Sequence, residues 1–412
     1  MKVRRTILKN RLNKTVAALA TGALLLVAVP VAGFASAGAA TKPVYVIGYE
    51  GPLTGSANQY GLNELGGLQL AVNQWNALGT LPFTLDIKQF DDQGSGSLSP
   101  AQAAAAVAVP NLVAVVGPAF SGATHAAQPA YLAASMPIIT PSATAVGLAT
   151  GGNFFRMVYG DDVQGNADAN FLINVKKAKS ITVINDGTFY GAGIAQVVSD
   201  FAKKVKGETV KLATLPQTSS CSGGIASVAQ FAATATVIKQ SNPAAVFYGG
   251  YACDFANLLP ALAKVGYKGS VMSADGSYDA ALMTQTTPIS AAKGAYLSAA
   301  NCGSSSNLTG ADAAAYEALT GIAPASALYD AQAYDAGNIV VKALKSLSSS
   351  LATNTITQTR SAIVTYLHAN SFDGVTGKIA FQANGNLVGT GKGNIGIYQI
   401  TGKDLPTKKT CY

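Results

Sequence analysis

From Lys42 to about Ser298 the chain alternates short β-branched or aromatic runs with longer segments of helical period, which leaves few folds open. Val44 to Tyr49, the alternating Phe83, Leu85 and Ile87, Leu112 to Val116, Pro137 to Ile139, Ile181 to Ile184, Ala244 to Tyr248 and Ser270 to Ser273 read as strands. Between them lie a helix whose apolar face runs Leu65, Leu68, Val72 and Trp75, an Ala-rich helix capped by Ser99 and opened by Pro100, and helices Thr124 to Ser135, Ile194 to Val205, Val228 to Gln240 and Asp254 to Val265. Strands separated by helices pair in parallel, so the fold class is α/β, with mainly parallel sheets flanked by helices. The last third differs: helices are expected at Ala311 to Leu319, Tyr329 to Ser346 and Arg360 to His368, followed by short strands Ile379 to Phe381 and Ile395 to Ile400. That tail reads as a cap on one half rather than a further domain.

Residues 1–39 form a leader. Lys2, Arg4, Arg5, Lys9, Arg11 and Lys14 precede an apolar run from Thr15 to Phe34, and Ala35-Ser36-Ala37 or Ala37-Gly38-Ala39 offers a small-residue cleavage site. This is a secretory signal peptide; the paired arginines leave the twin-arginine and general routes both open. Six of the 28 basic residues lie in the leader and all 20 acids lie beyond it, so the mature chain carries about +2. That balance is too small to argue for nucleic acid or an anionic membrane surface. The roughly 370 remaining residues exceed what one core serves, and two lobes of five or six strands each are expected. Cys221, Cys253, Cys302 and Cys411 imply two disulfides after export; three pairings exist, and Cys221–Cys253 with Cys302–Cys411 is favoured because the first two share a lobe. No cysteine stands near the cleavage region, so no lipid anchor is expected, and with only His125 and His368 no metal site is either.

The stretch Val115 to Thr144 carries the chemistry. A buried strand runs into Ser121-Gly122-Ala123-Thr124 at a helix start, and a second strand runs into Thr140-Pro141-Ser142-Ala143-Thr144. Both hydroxyl-rich turns follow strands, at the sheet edge where α/β proteins bind ligands. First-turn amides with hydroxyls beside them suit a carboxylate, although Ser and Thr also serve as plain helix caps. Gly391-Lys392-Gly393-Asn394-Ile395-Gly396 matches a dinucleotide fingerprint but precedes a strand pattern, so it reads as a hairpin turn. His125 lies four residues after Ser121 with no third group to orient it, and reads as an exposed helix residue. Asp91-Asp92 and Asp161-Asp162 read as solvated turn and helix N-terminal charges.

Ordered matches then identify a family. Gly51-Pro52-Leu53-Thr54-Gly55 with Tyr60-Gly61, Val116-Gly117-Pro118 with Ser121, Ile139-Thr140-Pro141-Ser142-Ala143-Thr144, Phe155-Arg156 with Asp161-Asp162-Val163-Gln164-Gly165, Tyr190-Gly191, Tyr248-Gly249-Gly250-Tyr251, Tyr334-Asp335-Ala336 and Phe372-Asp373-Gly374 follow one another along the mature chain. The chain resembles the substrate-binding proteins of branched-chain amino acid (Leu/Ile/Val-type) ABC transporters, of the type I periplasmic-binding fold. The resemblance implies that Ser121 and the Ser142 turn hold a ligand carboxylate. It implies that Thr144 and Asp275 hold the ammonium, and that Tyr60, Tyr190, Tyr251 and Tyr329 line the cleft. Asp275 stands where the family more often has Glu, Phe120 where the leucine binder has a small residue, and Ser142 where it has Ala.

The implied organisation is Lys42 to Gly160 plus Asn301 to Asp373 as the first lobe, and Asp161 to Ala300 plus Gly374 to Tyr412 as the second. The implied role is an exported, periplasmic or extracellular, monomeric binding protein. It would take a small amino acid without cofactor or catalysis and deliver it to a membrane permease and its ATPase. A ligand sensor for an amide, urea or aromatic acid on the same fold, and an exported serine hydrolase built on Ser121, stand as alternatives.

Overall fold

A computed structural model of the chain describes residues 42–205, 209–214, 228–300, 302, 308–391, 393–402 and 408–412; the leader and Cys221 lie outside the described residues. The first part builds β1 (Val44–Gly51), α1 (Asn58–Ala77), β2 (Thr84–Asp91), α2 (Ser99–Val107), β3 (Leu112–Val116), α3 (Ser121–Ala133), β4 (Ile138–Thr140) and β5 (Phe154–Arg156). The five strands pair in parallel in the order β2-β1-β3-β4-β5. β3 is buried along its whole length, as its unbroken apolar run requires of a strand covered on both faces.

The second part repeats the plan. α4 (Asp161–Asn170) leads into β6 (Ser180–Asn185), α5 (Phe189–Lys204), β7 (Thr209–Thr214), α6 (Val228–Ser241), β8 (Ala245–Gly249), α7 (Ala252–Lys264), β9 (Ser270–Ser273), α8 (Ala280–Gln285) and β10 (Tyr296–Ala299). These strands pair in parallel as β7-β6-β8-β9-β10, the order of the first sheet again.

The chain then returns to the first sheet through α9 (Gly310–Thr320), α10 (Asp330–Ser346) and α11 (Ile356–Ala369), and closes the hairpin β11 (Phe372–Gly374) with β12 (Gly377–Ile379). α10 lies against α1 closely enough that a Cβ on Gly67 would strike the Asp330 carbonyl, so only glycine fits there. Ile339, Val340, Ile363, Phe372, Ile379 and Phe381 join Ile47, Leu68, Val116 and Phe155 in the first core. The sequence places the return to the second half at Gly374, but the chain stays longer. The Arg156 amide donates to Gly385 O over 3.1 Å, and only with β13 (Gly396–Gln399) does the chain rejoin the second sheet.

β13 pairs antiparallel with β10, and β14 (Lys408–Cys411) pairs antiparallel with β13, giving seven strands where five or six were expected. β14 reads Lys-Lys-Thr-Cys and shows no apolar alternation; it is an edge strand held by its ladder and by the Cys302–Cys411 disulfide (Cα–Cα 5.6 Å). Cys253 is disulfide-bonded. The fingerprint-like glycines turn, with the Asn394 amide donating to Gly391 O over 2.9 Å, and enter β13 rather than a helix. Among the described residues no helix is long and apolar enough to cross a membrane, and no group of His, Cys, Asp or Glu is disposed to hold a metal ion.

Candidate functional site

Each sheet reverses its strand order once, between β1 and β3 and between β6 and β8. At such a reversal the loops leave in opposite directions and a crevice opens beyond the carboxyl ends of the strands. The loops that leave β3 and β4 carry Ser121, Ser142 and Thr144, and those that leave β8 and β9 carry Tyr251 and Asp275. Tyr60 comes from the first turn of α1, Tyr190 from the first turn of α5, and Tyr329 from the residue before α10. All eight line one cavity, with Ala119, Phe120 and Gly276 between them.

At the β3–β4 side the groups are donors. Phe120, the N-cap of α3, makes no side-chain cap, and the Ser121 hydroxyl accepts from the Ala145 amide (3.2 Å) instead of closing its own helix. Its proton, with the first-turn amides of α3, is therefore left for an anion. The Ser142 hydroxyl donates to Ala119 O (2.8 Å), so what that residue can offer a ligand is its main-chain N–H. The Thr144 carbonyl is fixed by Arg156 Nη1 (2.8 Å) and the Asp161 amide (2.8 Å), which sets the turn against the start of α4.

At the β8–β9 side the groups are acceptors. Asp275 is buried; Tyr190 donates to Oδ1 (2.7 Å) and Tyr329 to Oδ2 (2.5 Å). Burial raises its pKa, and the Tyr329 and Tyr190 hydroxyls and the Gln164 amide hold back part of the rise. Tyr329 has φ 67°, a left-handed conformation that costs a tyrosine roughly 1 kcal/mol and that aims its hydroxyl at the acid.

Three contacts join the two sheets' loops across the cavity. The Tyr60 hydroxyl donates to Gly276 O (2.8 Å), and Tyr329 reaches Asp275. Phe120 stacks on Tyr251 (ring centroids 4.7 Å, 10° between planes) while meeting Tyr60 edge-on at 5.6 Å. His125, exposed as expected, lies flat on Phe189 at 4.4 Å. Tyr60, Phe120 and Tyr329 thereby join the second core although the first sheet's elements carry them.

Asp161 was read as a solvated helix-start charge, and the structure corrects this. Of each acidic pair one member is buried, Asp92 and Asp161, while Asp162 is exposed and Asp91 holds the loop after β1 through Leu53 N (2.9 Å) and Thr54 Oγ1 (2.5 Å). Neither Asp161 oxygen has a hydrogen-bond partner among the described residues. Burial first, then the nearby Asp275 charge, raises its pKa well above the ordinary range, with Thr144 and Arg156 opposing. Behind it Gln164 donates to Ser298 Oγ (2.8 Å), which donates to Asp168 Oδ2 (3.0 Å). Asp161, Gln164 and Asp168 sit at i, i+3 and i+7, interleaved with Gly165 and Ala169. That spacing puts polar and small residues on one inward face, a signal the sequence did offer. The cavity thus presents donors at one end and the buried Asp275 carboxylate at the other.

Residues 44–404 match the profile of the family described as periplasmic binding protein. The leucine-, isoleucine-, valine-, threonine- and alanine-binding protein of Pseudomonas aeruginosa is 31% identical over 261 residues, 61% of this chain and 65% of that protein, a little under two thirds of its length. The Leu/Ile/Val-binding protein of Citrobacter freundii is 28% identical over 360 residues, 82% of this chain and 87% of that one. Among solved structures, the branched-chain amino acid transporter substrate-binding protein LivJ of Streptococcus pneumoniae, in complex with isoleucine, matches with a TM-score of 0.72 at 24% identity. The match covers 89% of this chain and 100% of that one, and at that identity it speaks for the fold.

Proposed function

The chain belongs to the periplasmic binding protein family, and from that premise we propose that it is the extracytoplasmic solute-binding component of an ABC importer. Its ligand on this reading is a small amino acid, held between two lobes that close on it and present it to a membrane permease served by an ATPase. The lobes are the two sheets with their helices, joined by three connections that act as the hinge. The protein is exported, works as a monomer and needs no cofactor.

The single observation that carries the reading is the polarity of the cavity. Ser121 and the α3 amides stand at one end and Asp275 at the other, with the buried Asp161 close to Asp275. A zwitterion stripped of water needs that arrangement, because either charge left unpaired costs several kcal/mol. The carboxylate docks on Ser121 and the Ser142 turn, while the ammonium lies between Thr144, Asp275 and Asp161. Tyr60, Tyr190, Tyr251 and Tyr329 close over it. Names of relatives that bind leucine, isoleucine, valine, threonine or alanine support an aliphatic side chain.

A thermal-shift screen of the mature protein against amino acids, amides and aromatic acids tests this. Stabilisation by aliphatic amino acids, with affinity cut on the order of a thousand-fold in Asp275→Ala, is the expected result. One observation favours a second reading: both Asp275 oxygens already accept phenol hydroxyls, so the acid is satisfied without a cation. Stabilisation only by acids or amides lacking an amine would replace the amino acid with such a ligand. Loss of amino acid uptake on deletion separates transport from sensing.

A further inference from the structure

Net charge conceals a segregation in this molecule. The mature chain is close to neutral, yet residues 161–300 contain no arginine and eleven lysines, against nine acids. Six of those acids, Asp161, Asp168, Asp186, Asp254, Asp275 and Asp279, are buried. Topology then sorts the lysines. In a parallel sheet every strand starts at one edge, and every crossover helix ends there. Lys176, Lys177 and Lys179 run into β6; Lys203 and Lys204 end α5; Lys239 and Lys264 stand in the last turns of α6 and α7; Lys268 and Lys293 precede β9 and β10. All nine are exposed.

Contacts confirm that the loops meet. Lys239 Nζ donates to Gly266 O (3.0 Å) and Lys176 Nζ to the Tyr296 hydroxyl (2.9 Å), while Lys176, Lys268 and Lys293 share the walls of one open groove. The exposed carboxylates among the described residues of this half are Asp200, 3.9 Å from Lys203, and Asp162, which stands at the cavity end of α4. Lysines at helix ends do complement the helix dipole. That role accounts for single lysines, not for the near absence of exposed acids around nine of them.

We propose that this basic end, opposite the cavity, docks the protein on an anionic phospholipid bilayer. Two features favour a bilayer over a discrete anionic ligand. Lysine is a hydrated point charge that suits a diffuse field, whereas a fixed phosphate or carboxylate is gripped by arginine forks, which this half lacks. Val175 and Val237, beside Lys176 and Lys239, are about half exposed, at 51% and 49%, and place apolar side chains level with the charges. Docking by this end leaves the cavity uncovered, so it concentrates the protein at the membrane without occupying the ligand site. The inference does not depend on which ligand the cavity takes.

Co-sedimentation of the mature protein with vesicles tests it. Vesicles of equimolar phosphatidylglycerol and phosphatidylcholine should retain the protein at low salt and release it at high salt; phosphatidylcholine alone should not retain it. Each lysine removed should lower partitioning about five-fold. The variant Lys177→Gln/Lys264→Gln/Lys268→Gln/Lys293→Gln should therefore lose on the order of several hundred-fold, with an unchanged melting curve. Lys88→Gln/Lys342→Gln/Lys345→Gln, in the other half, should bind as wild type. Equal binding to both vesicle types, or by the four-lysine variant, would overturn the proposal. So would retention by soluble poly(glycerol phosphate) but not by vesicles, which would make the partner a polyanion rather than a bilayer.

Discussion

Tyr329, placed by the first sheet's helices, donates its hydroxyl to Asp275 at the end of the second sheet's β9 over 2.5 Å. On the proposed hinge closure, this bond exists only in the closed form. Hydrogen bonds to charged groups contribute about 1.5–3 kcal/mol. Tyr329→Phe should therefore weaken ligand binding by about ten- to a hundred-fold, mainly through faster release, as titration calorimetry and stopped-flow dissociation would read.

The Asp275 charge raises the pKa of Asp161, an ionised Asp161 opposes ionisation of Asp275 in turn because like-charge repulsion is mutual, and an ammonium ligand needs ionised acid. Affinity should accordingly fall as pH drops from the raised pKa of Asp275 toward the ordinary carboxylate range. Asp161→Asn removes a neighbouring negative charge and so lowers the Asp275 pKa. The pH at which affinity is half lost should move down in this variant, measured by calorimetry from about pH 8 to about pH 4. An unmoved midpoint would mean that the two acids do not share the ligand.

Phe120 forms a fixed wall. Its ring lies so close over Gly94 that a Cβ there would meet ring Cδ2 at 2.8 Å, and its other face is covered by Tyr251. Phe120→Ala should open the cavity toward bulkier side chains. A shift of about ten-fold or more in relative affinity from alanine toward leucine or phenylalanine is expected, since a few methylenes in such a pocket contribute about 1–3 kcal/mol.

Burial sets the pH dependence of stability. Glu50 and Glu64 are pushed up to about 8, Asp92 and Asp186 to about 7, and Asp279 to about 6, each chiefly by desolvation. An acid whose folded pKa is raised binds its proton more tightly folded than unfolded. Its contribution is complete below the unfolded value, near the 3.8 of Asp or 4.5 of Glu, and is lost as pH rises through the folded one. The ligand-free protein should therefore melt at a higher temperature at about pH 5 than at about pH 8. Glu50→Gln, which keeps one acceptor and presents an amide N–H to the other of Ser99 and Tyr131, should flatten part of that slope in differential scanning calorimetry.

The sheets were legible because strands buried on both faces print as unbroken apolar runs, as at Leu112–Val116. The eight cavity residues were legible through strand-end turns and the family resemblance together; neither alone distinguished Ser121 from a helix cap. What escaped depends on contacts between distant segments. β14 is specified by a ladder and by the Cys411 disulfide, not by an apolar alternation. Ile379 and Phe381 stay with the first core because of a surface that α10 and α11 create. The burial of Asp161 follows from a helix start lodged between two sheets, where two adjacent acids ordinarily mark solvent. The basic end is written in lysines as far as 117 residues apart, and a whole-chain sum cancels it.

The identical strand order of the two sheets puts the cavity residues at corresponding positions in a repeated frame. Ser121 and Tyr251 leave the third strand of each copy, Thr144 and Asp275 the fourth, and Tyr60 and Tyr190 begin the first helix. The first copy brings Ser121 and the α3 amides, and the second brings the Asp275 carboxylate. Each end of a ligand is therefore an independent address, and a new chemical preference can be installed at one without rebuilding the scaffold that holds its counterpart.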